Sequence, residues 1–140
     1  MSIIDLKNKT SHTLSNNPNN PQSLPGNSVY SIYRDHLENI WIGTKRGLGL
    51  FNPKTEEFTV FRHEPHNPYS LIADHIYVIK EMNDGSLWIT SDIGGISILD
   101  LHSITFKNPE SVQFYNITAD NNRNGVSSGN IRNLLCLFLT

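Results

Sequence analysis

The stretch Ile40-Trp41-Ile42-Gly43-Thr44 decides the fold, because the chain returns to it 47 residues later as Leu87-Trp88-Ile89-Thr90-Ser91. The run that precedes it, Val29-Tyr30-Ser31-Ile32, returns at the same offset as Ile76-Tyr77-Val78-Ile79. Self-similarity at a fixed period of this length is typical of repeat architectures. The two copies therefore have to be interpreted as units of one design before any single motif is considered.

Each unit is predicted to contain four short strands. β-Branched and aromatic residues fill the strand positions, and Gly, Asn, Asp and Pro separate them. The first unit predicts strands at Ser28–Arg34, Ile40–Thr44, Leu48–Asn52 and Phe58–Arg62. The second predicts them at Ile76–Glu81, Leu87–Thr90, Gly95–Asp100 and Val112–Tyr115. Between two apolar runs, Asp84-Gly85 predicts a primed hairpin turn.

The pattern predicts an all-β chain built of β-propeller blades, each of four antiparallel strands. No stretch shows sustained helical periodicity. The first strand of each unit has apolar residues at both alternating positions, which predicts that neighbouring blades cover both of its faces. The chain should hold about two complete and two partial blades, and so form an incomplete propeller.

The phase of the repeat predicts four segments. Residues 1–22 form the last strands of a partial blade and a loop, and residues 23–69 form one blade. Residues 70–124 form a second blade with a longer loop between its third and fourth strands, and residues 125–140 provide the first strand of a further partial blade. A closed ring needs about four to eight blades. We therefore expect either a fragment of a larger propeller or copies that assemble.

The first unit resembles a known repeat. The runs Asn27–Ile32, Asn39–Thr44 and Gly49–Asn52 look like the two-component-regulator propeller repeat of Bacteroides-type hybrid two-component systems. The second unit departs from that pattern, because Thr90-Ser91 stands where Gly43-Thr44 stands in the first.

The resemblance implies a periplasmic sensor propeller that recognises breakdown products of complex glycans, with the histidine kinase and a membrane span elsewhere in the protein. It predicts that this chain is a non-catalytic fragment of the ligand-sensing propeller and takes a glycan-derived oligosaccharide. One alternative is a structural or protein-interaction propeller piece that self-assembles. Another is a propeller lyase or glycosidase.

Composition argues against several other classes. The net charge of −2 at pH 7, without a basic stripe, argues against a nucleic-acid partner. No apolar stretch approaches the length of a membrane span, and the N-terminus lacks the pattern of a signal peptide. Cys136 is the single cysteine, which excludes an internal disulfide. No cofactor motif is present in the sequence.

The candidate ligand-binding residues are Lys45, Arg46 and Asp92. They follow the second strand of each unit at equivalent turns, and they differ in charge. Polar residues that differ between equivalent loops of the same scaffold are typical of recognition loops. Ordinary turn chemistry is the alternative interpretation.

No catalytic residue and no metal ligand is predicted. The carboxylates that a glycosidase could use lie in predicted turns or loops, where acidic residues are common for structural reasons. They are Asp35, Glu38, Asp74 and Asp92. Zinc sites need three or four ligands at close spacing. His63, His66 and His75 lack such a pattern.

Two packing predictions complete the interpretation. Trp41 and Trp88 occupy the same place in successive units and should be largely buried between blades, as core rather than as sugar-stacking residues. A head-to-tail homodimer could pair Ile131–Leu135 of one copy with Ile3–Leu6 of the next. Two copies would then supply about six blades, which lies within the usual range of propellers.

Overall fold

The chain folds into antiparallel sheets, as seen in a computed structural model that describes residues 1–104 and 109–118. The strands are β1 (Ser2–Asp5), β2 (Thr10–Thr13), β3 (Val29–Arg34), β4 (Ile40–Thr44), β5 (Gly47–Asn52), β6 (Glu57–Phe61), β7 (Ile76–Glu81), β8 (Ser86–Ser91), β9 (Gly95–Asp100) and β10 (Tyr115–Thr118). Two short 3-10 turns, Leu101–Ser103 and Pro109–Ser111, lie in the loop between β9 and β10. Within these described ranges, no helix has the length and apolar character needed to cross a membrane.

The strands form one hairpin and two four-stranded sheets. β1 pairs with β2, while β3 to β6 and β7 to β10 pair in sequence order, each antiparallel to the next. The prediction of four antiparallel strands per unit is confirmed. The segment 125–140, including the predicted strand Ile131–Leu135, lies outside the described residues.

One predicted strand was placed wrongly. The fourth strand of the second sheet is Tyr115–Thr118, and not Val112–Tyr115. Phe114 lies before that strand, is buried, and donates its backbone N–H to the carbonyl oxygen of Tyr69 at 2.8 Å. This bond ties the long β9–β10 loop to the segment that leads into the sheet, and pairing with β9 begins only afterwards.

The turns that join first to second strands are wider than a two-residue primed turn. The N–H of Met82 donates to the carbonyl of Ser86, and only Gly85 has a positive φ, of 82°. Glu38 takes the corresponding conformation in the first sheet, with φ 70°. The left-handed residue therefore stands next to the strand, as in longer hairpin loops, and glycine is not required there.

The main core lies between the two sheets. Trp41, Leu48 and Leu50 of the first sheet share one buried cluster with residues of the second. The partners from the second sheet are Ile76, Ile79, Leu87, Ile89 and Leu99. Trp41 is 0% exposed, as predicted, whereas Trp88 is only half-buried. The two tryptophans are equivalent in register, but the second sheet covers only the first of them.

The opposite face of the first sheet packs against the hairpin β1–β2. Leu24, Ile42, Phe51 and Phe58 are buried there, with Ile3 and Leu14 of the hairpin side packed against them. Ile32 lies on the same face, opposite Ile42, yet it is 59% exposed. The prediction that neighbouring blades cover both faces of the first strand is therefore wrong for β3, because the packing on this face reaches Val29 but leaves Ile32 exposed.

Candidate functional site

The turns after the second strands, which carry the predicted ligand-binding residues, lie at one end of the sheets. In the first sheet, the backbone N–H of Lys45 donates to the carbonyl oxygen of Ser28 at 3.0 Å. The guanidinium of Arg62 donates to the carbonyl oxygens of Arg46 and Pro25. The side chains of Lys45 and Arg46 are exposed at this rim.

The equivalent turn of the second sheet carries a histidine–carboxylate contact. His75 Nδ1 and Asp92 Oδ2 lie 2.9 Å apart, with 19% and 38% of the respective side chains exposed. His75 immediately precedes β7, and Asp92 immediately follows β8. The pair therefore joins the entrance of the second sheet's first strand to the end of its second strand.

The rings of two tyrosines pack beside the imidazole of this pair. The ring of Tyr77 lies 4.4 Å from the imidazole of His75, measured between centroids. The ring of Tyr30, from the first sheet, lies 5.0 Å from that imidazole and 5.3 Å from Tyr77. Tyr30 is 47% exposed. We define Tyr30, His75, Tyr77 and Asp92 as the rim cluster.

A β-bulge in each first strand positions these tyrosines. The β3–β4 register shifts between Val29 and Ser31, and the β7–β8 register shifts between Ile76 and Val78. The residue inside the shift is Tyr30 in β3 and Tyr77 in β7. A bulged residue is left out of the ladder, and its side chain is re-aimed. In this chain the bulges turn both rings toward the junction of the two sheets.

The turn that holds Asp92 is one residue longer than its counterpart. Thr44 pairs with Gly47 across the first turn, and its buried hydroxyl donates to the Gly47 carbonyl at 2.9 Å and accepts from the Arg46 N–H at 3.0 Å. Ser91 is the equivalent residue in the second sheet, and its buried hydroxyl has no hydrogen-bond partner. The insertion thus removes the hydroxyl's acceptor and lets Asp92 turn to His75.

The same junction collects buried polar atoms that lack partners. Ser31 Oγ, His75 Nε2 and Ser91 Oγ are such atoms among the described residues. Ser31 and Ile76 both lie against Gly43, where the first strands of the two sheets approach each other. Proteins seldom leave buried polar atoms unpaired, so each of these atoms calls for an explanation.

Sequence reasoning found only part of this cluster. The structure places Asp92 in it, whereas Lys45 and Arg46 stay on the neighbouring turn. The sequence pattern assigns Tyr30 and Tyr77 to covered strand faces, and it suggests His75 only as a candidate metal ligand. The signal that could have found them is the recurrence of tyrosine at one position in both units.

The other nominated acids, and His63 among the histidines, have structural partners. Asp35 is buried and accepts from the indole N–H of Trp41 at 2.8 Å, Glu38 pairs with Arg34, and Asp74 accepts from the N–H of His63 at 2.7 Å. In the part of the chain that the structure describes, no three His, Cys, Asp or Glu side chains converge as a metal site would require.

A second inter-sheet contact lies at the opposite end of the strands. Glu81 of β7 accepts from the backbone N–H of His36 at 2.8 Å, and it also contacts the imidazole of that residue. The imidazole of His102 lies 5.7 Å from that of His36. These groups are already paired across the two sheets. We assign them to holding the sheets together, and the rim cluster is the candidate binding site.

Comparison with known proteins agrees with this architecture. Residues 23–46 match the family model described as two component regulator propeller. Among solved structures, the extracellular domain of the hybrid two-component system BT3049 from B. thetaiotaomicron is similar, with 36% sequence identity over 81% of this chain and a TM-score of 0.55. The present chain spans 12% of that structure's length. None of the curated proteins matches the chain.

These matches confirm the resemblance to the two-component-regulator propeller repeat that the sequence predicted. They also confirm the fold class: an all-β chain of four-stranded propeller blades that does not close into a ring within the described residues. The predicted segment boundaries at residues 22, 69 and 124 remain predictions.

Proposed function

We propose that this chain, a stretch of two-component-regulator propeller, is part of the ligand-sensing region of a hybrid two-component sensor. In this role it binds a glycan-derived oligosaccharide outside the cytoplasm, in the periplasm, and catalyses no reaction. The similar structure from B. thetaiotaomicron, which is an extracellular domain of such a system, supports the proposed location.

The observation that carries the proposal is the rim cluster. A sugar ring offers an apolar C–H face and an edge of hydroxyl groups. The exposed ring of Tyr30 suits the C–H face, since aromatic side chains combine a large apolar surface with a polar tip. The carboxylate of Asp92 accepts hydrogen bonds only, so it suits the hydroxyl edge. The cluster bridges two blades, so a bound sugar would contact both.

The partners of the remaining acids favour binding over hydrolysis. Glycosidases use two carboxyl groups that face one bond of the substrate. Here Asp92 pairs with His75, and Asp35 is buried inside a turn where it also accepts from the N–H groups of Leu37 and Asn39 at 2.9 Å. The carboxylates of these acids hold the turns through hydrogen bonds, which supports a binding role.

Binding can be tested with the full chain on a glycan array, followed by calorimetry on the glycans that bind. We expect Tyr30→Ala to weaken binding at least about tenfold, as for a residue that anchors an interface. Tyr69→Ala is the matched control, because Tyr69 is 46% exposed but lies on the outer side of the second blade, near Tyr115. Absence of any glycan binding, or equal losses in the two variants, would refute the proposal.

The second candidate is self-association, and a specific surface favours it. Tyr115 and Ile117 of β10 are 58% and 42% exposed, on the same face as the half-buried Trp88. The equivalent face of the first sheet, with Trp41 and Phe61, is covered by the second sheet. We propose that a second copy covers the face of Trp88 in a head-to-tail homodimer.

Light scattering at roughly 10–100 micromolar protein tests this assembly, because its population depends on concentration. We expect a dimer, and we expect Ile117→Lys to convert it to a monomer with an unchanged circular dichroism spectrum. A clean monomer of the unmodified chain at the upper concentration would contradict the proposed assembly.

A further inference from the structure

We infer that the rim cluster selects uncharged sugars and discriminates against sulfated and uronate sugars. The inference rests on the proposed function, since it names the class of oligosaccharide that the same site takes.

Asp92 determines the charge of the cluster. More than a third of its side chain is exposed, and its Oδ2 lies 2.9 Å from His75 Nδ1. This contact fixes the carboxylate beside the ring of His75, which in turn lies 5.0 Å from the ring of Tyr30. A sugar stacked on Tyr30 would therefore lie close to a carboxylate of fixed position. Hydroxyl groups can donate to it, whereas sulfate and carboxylate groups cannot.

The longer turn of the second blade is what puts an acid at this position. Lys45 follows the second strand in the first blade, and Asp92 follows it in the second. The hydroxyl of Thr44 holds the first turn closed, while the extra residue of the second turn leaves Ser91 without that bond and directs Asp92 toward His75. The sign of the charge at this rim therefore differs between adjacent blades.

Two of the nearby cations are engaged elsewhere, whereas Lys45 and Arg46 are exposed on the turn of the neighbouring blade. Arg62 donates to the carbonyl oxygens of Arg46 and Pro25 at the first turn. Lys80 lies near the ring of Tyr33, 5.9 Å from its centroid, toward the other end of the strands. The partner that the structure gives Asp92 is the imidazole of His75. An anionic group brought within a few ångströms of this half-exposed carboxylate should bind roughly tenfold more weakly than its neutral counterpart.

The test is an oligosaccharide array in which each neutral glycan is accompanied by its uronate and its sulfated counterpart on the same backbone. We expect the full chain to bind neutral members at least about tenfold more tightly than their anionic counterparts. Asp92→Asn, which keeps the shape and removes the charge, should reduce this ratio to within about threefold. Asp92→Lys should reverse the preference. Binding of the neutral members should depend little on salt.

The outcomes separate this inference from the proposed function. If the tightest glycans are anionic and Tyr30→Ala abolishes their binding, the site exists but its selectivity is the opposite of that inferred. A ratio that Asp92→Asn leaves unchanged would also overturn the inference. If no glycan binds while circular dichroism shows a folded chain, the proposed function and the inference fail together.

Discussion

Replacing the indole of Trp41 should destabilise the chain far more than the same change at Trp88. Trp41 is fully buried between the sheets, and its indole N–H donates to Asp35 Oδ2 at 2.8 Å. Trp88 is half-buried and donates to the Ser86 hydroxyl at 3.0 Å. Trp41→Ala would leave a large cavity and costs about 3–5 kcal/mol. That is a large part of the 5–15 kcal/mol by which domains are ordinarily stable.

Replacing each tryptophan with phenylalanine compares the two sites with a smaller loss of volume. Trp41→Phe keeps most of the ring volume but removes one donor from the buried carboxylate of Asp35, which retains the side-chain amide of Asn39 at 2.9 Å. Losing a hydrogen bond to a charged group costs about 1.5–3 kcal/mol, and the smaller ring adds to this. We expect about 2–4 kcal/mol for Trp41→Phe and less than about 1 kcal/mol for Trp88→Phe.

Urea denaturation followed by circular dichroism measures both variants without relying on tryptophan fluorescence. With a slope of about 2 kcal/mol per molar urea, Trp41→Phe should lower the midpoint by roughly 1–2 M. Equal shifts for the two variants would refute the argument that only the first tryptophan face is covered.

Two further predictions concern the turns. Thr44→Ala should cost about 1–2 kcal/mol in urea denaturation because it removes one buried and one partly buried hydrogen bond. Ser91→Ala should be neutral or slightly stabilising because its hydroxyl has no partner, and a larger loss at Ser91 would contradict the comparison. Hydrogen bonds from Asn8 to Asp5, and from Ser86 to Asp84, lower the pKa of each carboxyl below the usual 3.8. Their stabilising effect is therefore present above pH 3.8 and is lost as the pH falls through the lowered values. NMR titration should place both midpoints below 3.8, and Asp5→Asn should weaken the acid sensitivity of the denaturation midpoint; a midpoint at or above 3.8 would contradict the prediction.

The strands could be predicted because burial imposes a periodic pattern on them. Ile40–Thr44, Ile76–Glu81 and Gly95–Asp100 were placed at the bounds that the structure shows. The start of β10 could not be placed, because Val112 and Phe114 precede the strand. Both are apolar and pack against the core from the loop. An apolar residue in a long loop carries the same sequence signal as one in a short strand.

The candidate site was harder to predict because it depends on departures from the repeat. Two bulges turn Tyr30 and Tyr77 toward the blade junction, and one added residue in a turn releases Asp92 toward His75. Alternation within a strand does not reveal a bulge, since the bulged residue is itself the break in alternation. Equivalent positions from both units have to be compared together. Such changes at strand ends leave the pairing of the sheets intact, so a blade can acquire a new rim charge while the core around Trp41 stays the same.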